Sequence, residues 1–101
     1  MYDRVLKRMR DKVRSPEFVM TLHADEEMDA DGVTIFDVEN CILSGRITER
    51  QKDVRTGESK YRIRGRTLAG RSIEVIGKIG PTGKLVIITV YLIQSKQGKS
   101  S

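Results

Sequence analysis

Arginines at positions 62, 64 and 66 alternate with Tyr61, Ile63, Gly65 and Thr67 in the segment YRIRGRT. A strand has a side-chain period of two, so as a strand this segment carries three guanidiniums on one face and its tyrosine and isoleucine on the other. Like charges on neighbouring positions of one sheet face repel each other. Something anionic must offset them. Phosphate is the natural external counterpart, and the chain's own carboxylates on a solvated outer face are the internal one. The sequence leaves both open.

The surrounding pattern places this segment in a sheet that follows a helical region. Tyr2, Val5, Leu6, Met9 and Val13 recur at helical spacing, with Arg4, Lys7, Arg8 and Arg10 on the remaining surface, and Ser15-Pro16 ends that helix. Residues 18–22 suggest a short extended piece, and residues 23–30 a brief acidic helix closed by Asp31-Gly32. Thr34 is placed to cap the next helix, with Asp37 three residues on to complete a capping box and Val33 to staple onto Val38. Gly45 is expected to end this helix in the left-handed conformation. Strands are expected over residues 46–53, 61–67, 72–79 and 84–93, joined by turns at Thr56-Gly57, Ala69-Gly70 and Gly80-Pro81-Thr82-Gly83. Such short connections predict antiparallel neighbours. The fold class is therefore α+β, with two or three N-terminal helices packed on a four-stranded antiparallel sheet. Residues 84–93 are apolar on both faces and belong inside the sheet, whereas residues 46–53 belong near an edge. Residues 1–94 are expected to form one domain and residues 95–101, SKQGKSS, a mobile polar tail.

Charge narrows the choice of partner. Residues 1–14 carry six basic and two acidic side chains, residues 15–45 eight acidic and no Lys or Arg, and residues 46–101 thirteen basic and four acidic. Net block charges of +4, −8 and +9 make up the overall +5 at pH 7. This suits nucleic acid, anionic lipid or an acidic protein. With five per cent aromatic residues and no tryptophan, the chain lacks the stacking platforms of a single-strand reader, so contacts to nucleic acid should run to phosphates. The basic first helix lacks the bulky face of a membrane anchor, and no apolar run is long enough to span a bilayer. No secretory signal is visible, and a cytoplasmic location without membrane association is expected. Cys41 is the only cysteine, and no cofactor or metal motif is present.

Residues 21–91 resemble a known family. His23-Ala24 followed by Met28, then DGVTIFDVENCILSG, KYRIRGRTLAGRSIEVIGKI and LVIITVY, are similar to the bacterial family called domain of unknown function 4258, itself similar to the RelE/ParE-like toxins of toxin-antitoxin modules. The resemblance implies a small basic α+β domain, RNA cleavage or another toxin activity directed at RNA or the ribosome, and an acidic antitoxin as partner. One position departs from the family. A basic residue often precedes the methionine matched by Met28, but here Glu27 stands there beside Asp25 and Glu26, and would repel phosphate.

A metal-independent ribonuclease must activate a ribose 2′-hydroxyl, neutralise a pentavalent phosphate and protonate the leaving oxygen. Arg62, Arg64 and Arg66, assisted by Arg71 or Lys78, suit the second task, because arginine stays charged and binds phosphate in a bidentate fork. His23, Glu49 and Tyr91 are the candidates for acid–base work. Each also has a structural reading: His23 as a cap, with Glu27 one helical turn on but too few ligands for a metal; Tyr91 as a core aromatic. Cys41 and the methionines read as core filling. A noncatalytic module of the same fold, forming a homodimer or accepting an acidic antitoxin-like segment at a strand edge, is the alternative. A metal-dependent nuclease built on Glu74 and Lys78 ranks last, since no second carboxylate lies near in sequence.

Overall fold

The computed structural model describes residues 2–93. Its elements follow the order α1 (Asp3–Arg14), β1 (Phe18–Met20), α2 (Leu22–Asp31), α3 (Ile35–Ser44), β2 (Arg46–Lys52), β3 (Ser59–Arg66), β4 (Ser72–Ile79) and β5 (Leu85–Leu92). The polar tail expected at residues 95–101 lies outside the described residues.

The sheet has five strands rather than four, in the order β1-β5-β4-β3-β2, and it is mixed rather than purely antiparallel. The hairpins β2-β3, β3-β4 and β4-β5 are antiparallel, as their short turns require. The additional strand, β1, pairs in parallel with β5, Phe18 opposite Leu85 and Met20 opposite Ile87. Three residues after a proline are too few to show a period, so the sequence marks β1 only as extended chain. β5 lies inside the sheet and β2 at its edge, as their hydrophobic patterns predict.

Because β1 covers only the first part of β5, the rest of that edge needs another partner, and α2 supplies it. Thr21 caps α2 by accepting from the Ala24 N–H at 3.1 Å while its hydroxyl donates to the Ile88 carbonyl at 3.0 Å. Nearly two turns on, the Glu27 carboxylate accepts the Val90 N–H at 2.9 Å. A buried or half-buried backbone donor left without a partner costs about 1–3 kcal/mol, so the acidic residue at position 27 has a structural use here.

Helices α1 and α3 cover one sheet face. The buried residues Met9 and Val13 of α1, Val38, Cys41 and Ile42 of α3, and Ile63, Ile73, Val75, Leu85, Ile87 and Val90 of the sheet form the core with Ala24, Met28 and Val33. The capping box of α3 forms as the sequence predicts, and its Asp37 also accepts the Leu68 N–H at 2.9 Å, tying α3 to the β3-β4 turn. These backbone donors, from Thr34 first and Leu68 second, hold the Asp37 carboxyl below its usual value. One charge of the basic α1 is structural too: Arg10 donates to the carbonyls of Ile42 at 2.9 Å and Gly45 at 2.8 Å, closing the C-terminus of α3.

Gly45 does not adopt the expected left-handed conformation; its φ of −89° and ψ of −160° are extended. Close approach explains the glycine instead. A Cβ there would lie 2.4 Å from the carbonyl oxygens of both Arg64 and Cys41, and one at Gly65 would lie 2.7 Å from the latter. The two glycines let α3 sit directly on β3. Since neither oxygen at Gly45 belongs to a movable side chain, Gly45→Ala should lower stability by roughly 2–3 kcal/mol, the upper range for overpacking. Urea denaturation would show this; an unchanged midpoint would contradict the close-approach account.

Candidate functional site

The face of the sheet turned away from α1 and α3 carries a cluster of opposed charges. Alternation along each strand places Arg46 and Glu49 of β2, Arg62, Arg64 and Arg66 of β3, Glu74 and Lys78 of β4, and Tyr91 of β5 on this side. Register brings them together. Glu49 stands opposite Arg62, and Glu74 stands opposite Arg64 on one neighbouring strand and Tyr91 on the other.

Glu74 is the hub. Its side chain is only 12% exposed, and it accepts a short hydrogen bond from the Tyr91 hydroxyl. Its two oxygens lie 3.5 Å from Arg62 Nε and 3.7 Å from Arg64 Nε. The first contact is an ion pair without hydrogen-bond alignment, so Arg62 Nε is buried and has no hydrogen-bond partner. Arg62 is held instead by its Nη1, 2.8 Å from Glu49. The Tyr91 hydroxyl is pushed above its ordinary pKa, first by the hydrogen bond to Glu74, then by burial and by the charge of that carboxylate, with Arg62 and Arg64 opposing.

Of the acid–base candidates, the sheet face thus gathers Glu49 and Tyr91 around Arg62 and Arg64. His23 stands apart: on α2, 65% exposed, its Nε2 lies 3.3 Å from Glu27 of its own helix. Arg66 continues the row and donates from Nη1 to the Gly70 carbonyl at 3.0 Å. Arg71 is exposed on the β3-β4 turn, and Lys78 pairs with Glu58 at 2.7 Å. Cys41 is buried on the sheet-facing side of α3, and burial, aided by the Glu74 charge, pushes its thiol up to about 12. No group of three or more His, Cys, Asp or Glu among the described residues is arranged to hold a metal ion.

Of the residues that complete this face, Glu74 is weighed in the sequence only with Lys78 for a metal-dependent nuclease, and Arg46 is not read as a site residue at all. Glu74 has a visible signal, the one carboxylate in the largely apolar strand SIEVIGKI. Arg46 has none until the register is known, because only pairing sets it opposite Arg64.

The family model for a domain of unknown function (DUF4258) matches residues 20–92, which is 73 of the 101 residues. The chain belongs to this family. The DUF4258 region begins at the last residue of β1 and ends at the last residue of β5, so it includes every residue of the open-face cluster and leaves α1 outside. Neither the curated proteins nor the solved structures provide a match. No helix of the described DUF4258 chain is long and apolar enough to cross a membrane.

If Glu74 governs this cluster, Glu74→Gln should cost about 2 kcal/mol in urea denaturation, less than the roughly 3–5 kcal/mol of a fully buried pair because Arg64 is half exposed. It should also move Tyr91 ionisation, followed by tyrosinate absorbance, to lower pH. Because the folded tyrosine titrates above its ordinary 10.0, its stabilising contribution is present below that pH and lost as pH rises through the folded value. The stability gap between the native chain and Tyr91→Phe should close over that window. A gap that does not change with pH would show that the hydroxyl contributes nothing through Glu74.

Proposed function

We propose that this chain is an RNA-directed protein of the toxin-like kind and that its open sheet face is where RNA docks. The convergence of Glu49, Arg62, Arg64, Glu74 and Tyr91 on that face is the observation that supports the reading. The resemblance to RelE/ParE-like toxins gives it context, and the net charge of +5 favours a polyanion.

In its catalytic form the reading is metal-independent cleavage within the RNA chain. The Glu49 carboxylate takes the proton of a ribose 2′-hydroxyl, whose oxygen attacks the adjacent phosphorus. Arg62 and Arg64 neutralise the charge that builds on the phosphoryl oxygens, and Tyr91 gives its proton to the departing 5′-oxygen. The bond from 2′-oxygen to phosphorus forms as the bond to the 5′-oxygen breaks, leaving a cyclic phosphate and a 5′-hydroxyl. Tyr91 is protonated at neutral pH and so holds the proton this step needs, although its raised pKa makes it a weaker acid than an ordinary tyrosine.

A noncatalytic form is favoured by a different observation: the would-be base is already paired with Arg62, and the would-be acid already donates to Glu74. In that form the face is a docking surface for RNA or for an acidic antitoxin-like protein. Incubating the purified chain with RNA in the presence of a metal chelator separates the two. The catalytic form predicts cyclic-phosphate ends and a loss of about 10²- to 10⁴-fold in rate for Glu49→Gln. Binding without new ends would leave the docking surface, and failure to bind RNA at all would overturn the proposal.

A further inference from the structure

At the end of the sheet below the C-terminus of α3, where β2 begins and β3 ends, lies a shallow depression of about 450 Å³. Three guanidinium residues line it, Arg46, Arg64 and Arg66, together with Ser44 and Ser72 and the backbone of Gly45 and Gly65. No carboxylate lines it. Arg46 and Arg64 are direct cross-strand partners, a placement of like charges that disfavours the sheet unless it is offset.

Glu74 offsets Arg64 in part, from 3.7 Å. Among the described residues, neither Arg46 nor Arg66 forms an ion pair with a carboxylate. Arg66 is nevertheless positioned, because its Nη1 bond to the Gly70 carbonyl leaves the rest of the fork free to donate. Ser44 donates its hydroxyl to the Asn40 carbonyl at 2.6 Å, so Ser72 is the hydroxyl donor on offer. The negative end of α3 would oppose an anion here, but Arg10 already occupies the carbonyls of Ile42 and Gly45.

We propose that this depression is a phosphate-binding site in which Arg46, Arg64 and Arg66 share one phosphoryl group. Planar guanidinium forks, each with several N–H donors, suit the oxygens of a tetrahedral phosphoryl group, which they can bind in a bidentate manner. The group is either a backbone phosphate of RNA or the phosphate of a small ligand. The site stands whether or not the neighbouring Glu49–Tyr91 cluster cleaves RNA, so the two proposals can fail separately.

The test compares thermal unfolding of the full chain in inorganic phosphate and in chloride at equal ionic strength. The native chain should gain about 6 °C or more when phosphate exceeds its Kd tenfold. Arg46→Gln/Arg66→Gln should lose that gain, as should Arg46→Gln alone in larger part, whereas Arg4→Gln/Arg8→Gln, which removes equal charge from α1, should keep it. A single-stranded RNA oligonucleotide distinguishes the sources. Weaker binding by the double variant, with a salt slope reduced by about 0.7 for the phosphate contact, supports the RNA backbone. Unchanged RNA affinity with a lost phosphate gain supports a small phosphorylated ligand. Equal stabilisation of native and double variant, or no gain over chloride, overturns the site.

Discussion

Glu74 is one carboxylate facing two guanidiniums and a phenol from the central strand of a five-stranded sheet, and the open face is organised around it. Its neighbours Ile73 and Val75 point into the core, so strand alternation fixes the carboxylate on the outer side, and pairing with β3 and β5 sets it between Arg64 and Tyr91. Without it, Arg62 and Arg64 would stand two residues apart with only Glu49 between them and mutual repulsion. With it, part of the arginine row becomes internal structure. Arg66, the rest of the row, and Arg46 beside it on β2 form no ion pair with a carboxylate among the described residues.

The same economy of charge appears on the helical side. Arg10 closes the C-terminus of α3, Asp37 closes its N-terminus and anchors the β3-β4 turn, and Glu27 completes the β5 edge that the short β1 leaves open. Each of these side chains looks, in the sequence, like one more member of a basic or acidic surface block. Each is instead fixed on backbone groups. The charge available for a partner is therefore smaller than the composition suggests, and three of the arginines line the depression where β2 and β3 meet beneath α3.

What the sequence reveals is the part governed by local periodicity and capping. The helices, the four long strands, their turns and the capping box at Thr34 follow from spacing alone, and so does the placement of β2 at an edge. The parallel strand β1 is hidden because its partner lies more than sixty residues away and its three residues show no period. Gly45 is misread as a left-handed terminator because chain position alone cannot show that backbone oxygens crowd its α-carbon. In the site, the shared face of Arg62, Arg64 and Arg66 is legible from the period of two. Which of them is neutralised depends on register, and register sets Glu49, Glu74 and Arg46 beside them.

The central claim is that the arginine row is divided between internal ion pairs and an external phosphate. The most direct measurement follows the side-chain Nε–Hε signals of the arginines by NMR as inorganic phosphate is added at constant ionic strength. Saturable shifts at Arg46 and Arg66, with Arg64 following and Arg62 unmoved, are the predicted result. Arg62 moving as far as Arg46, or all arginines drifting together without saturation, would contradict the division.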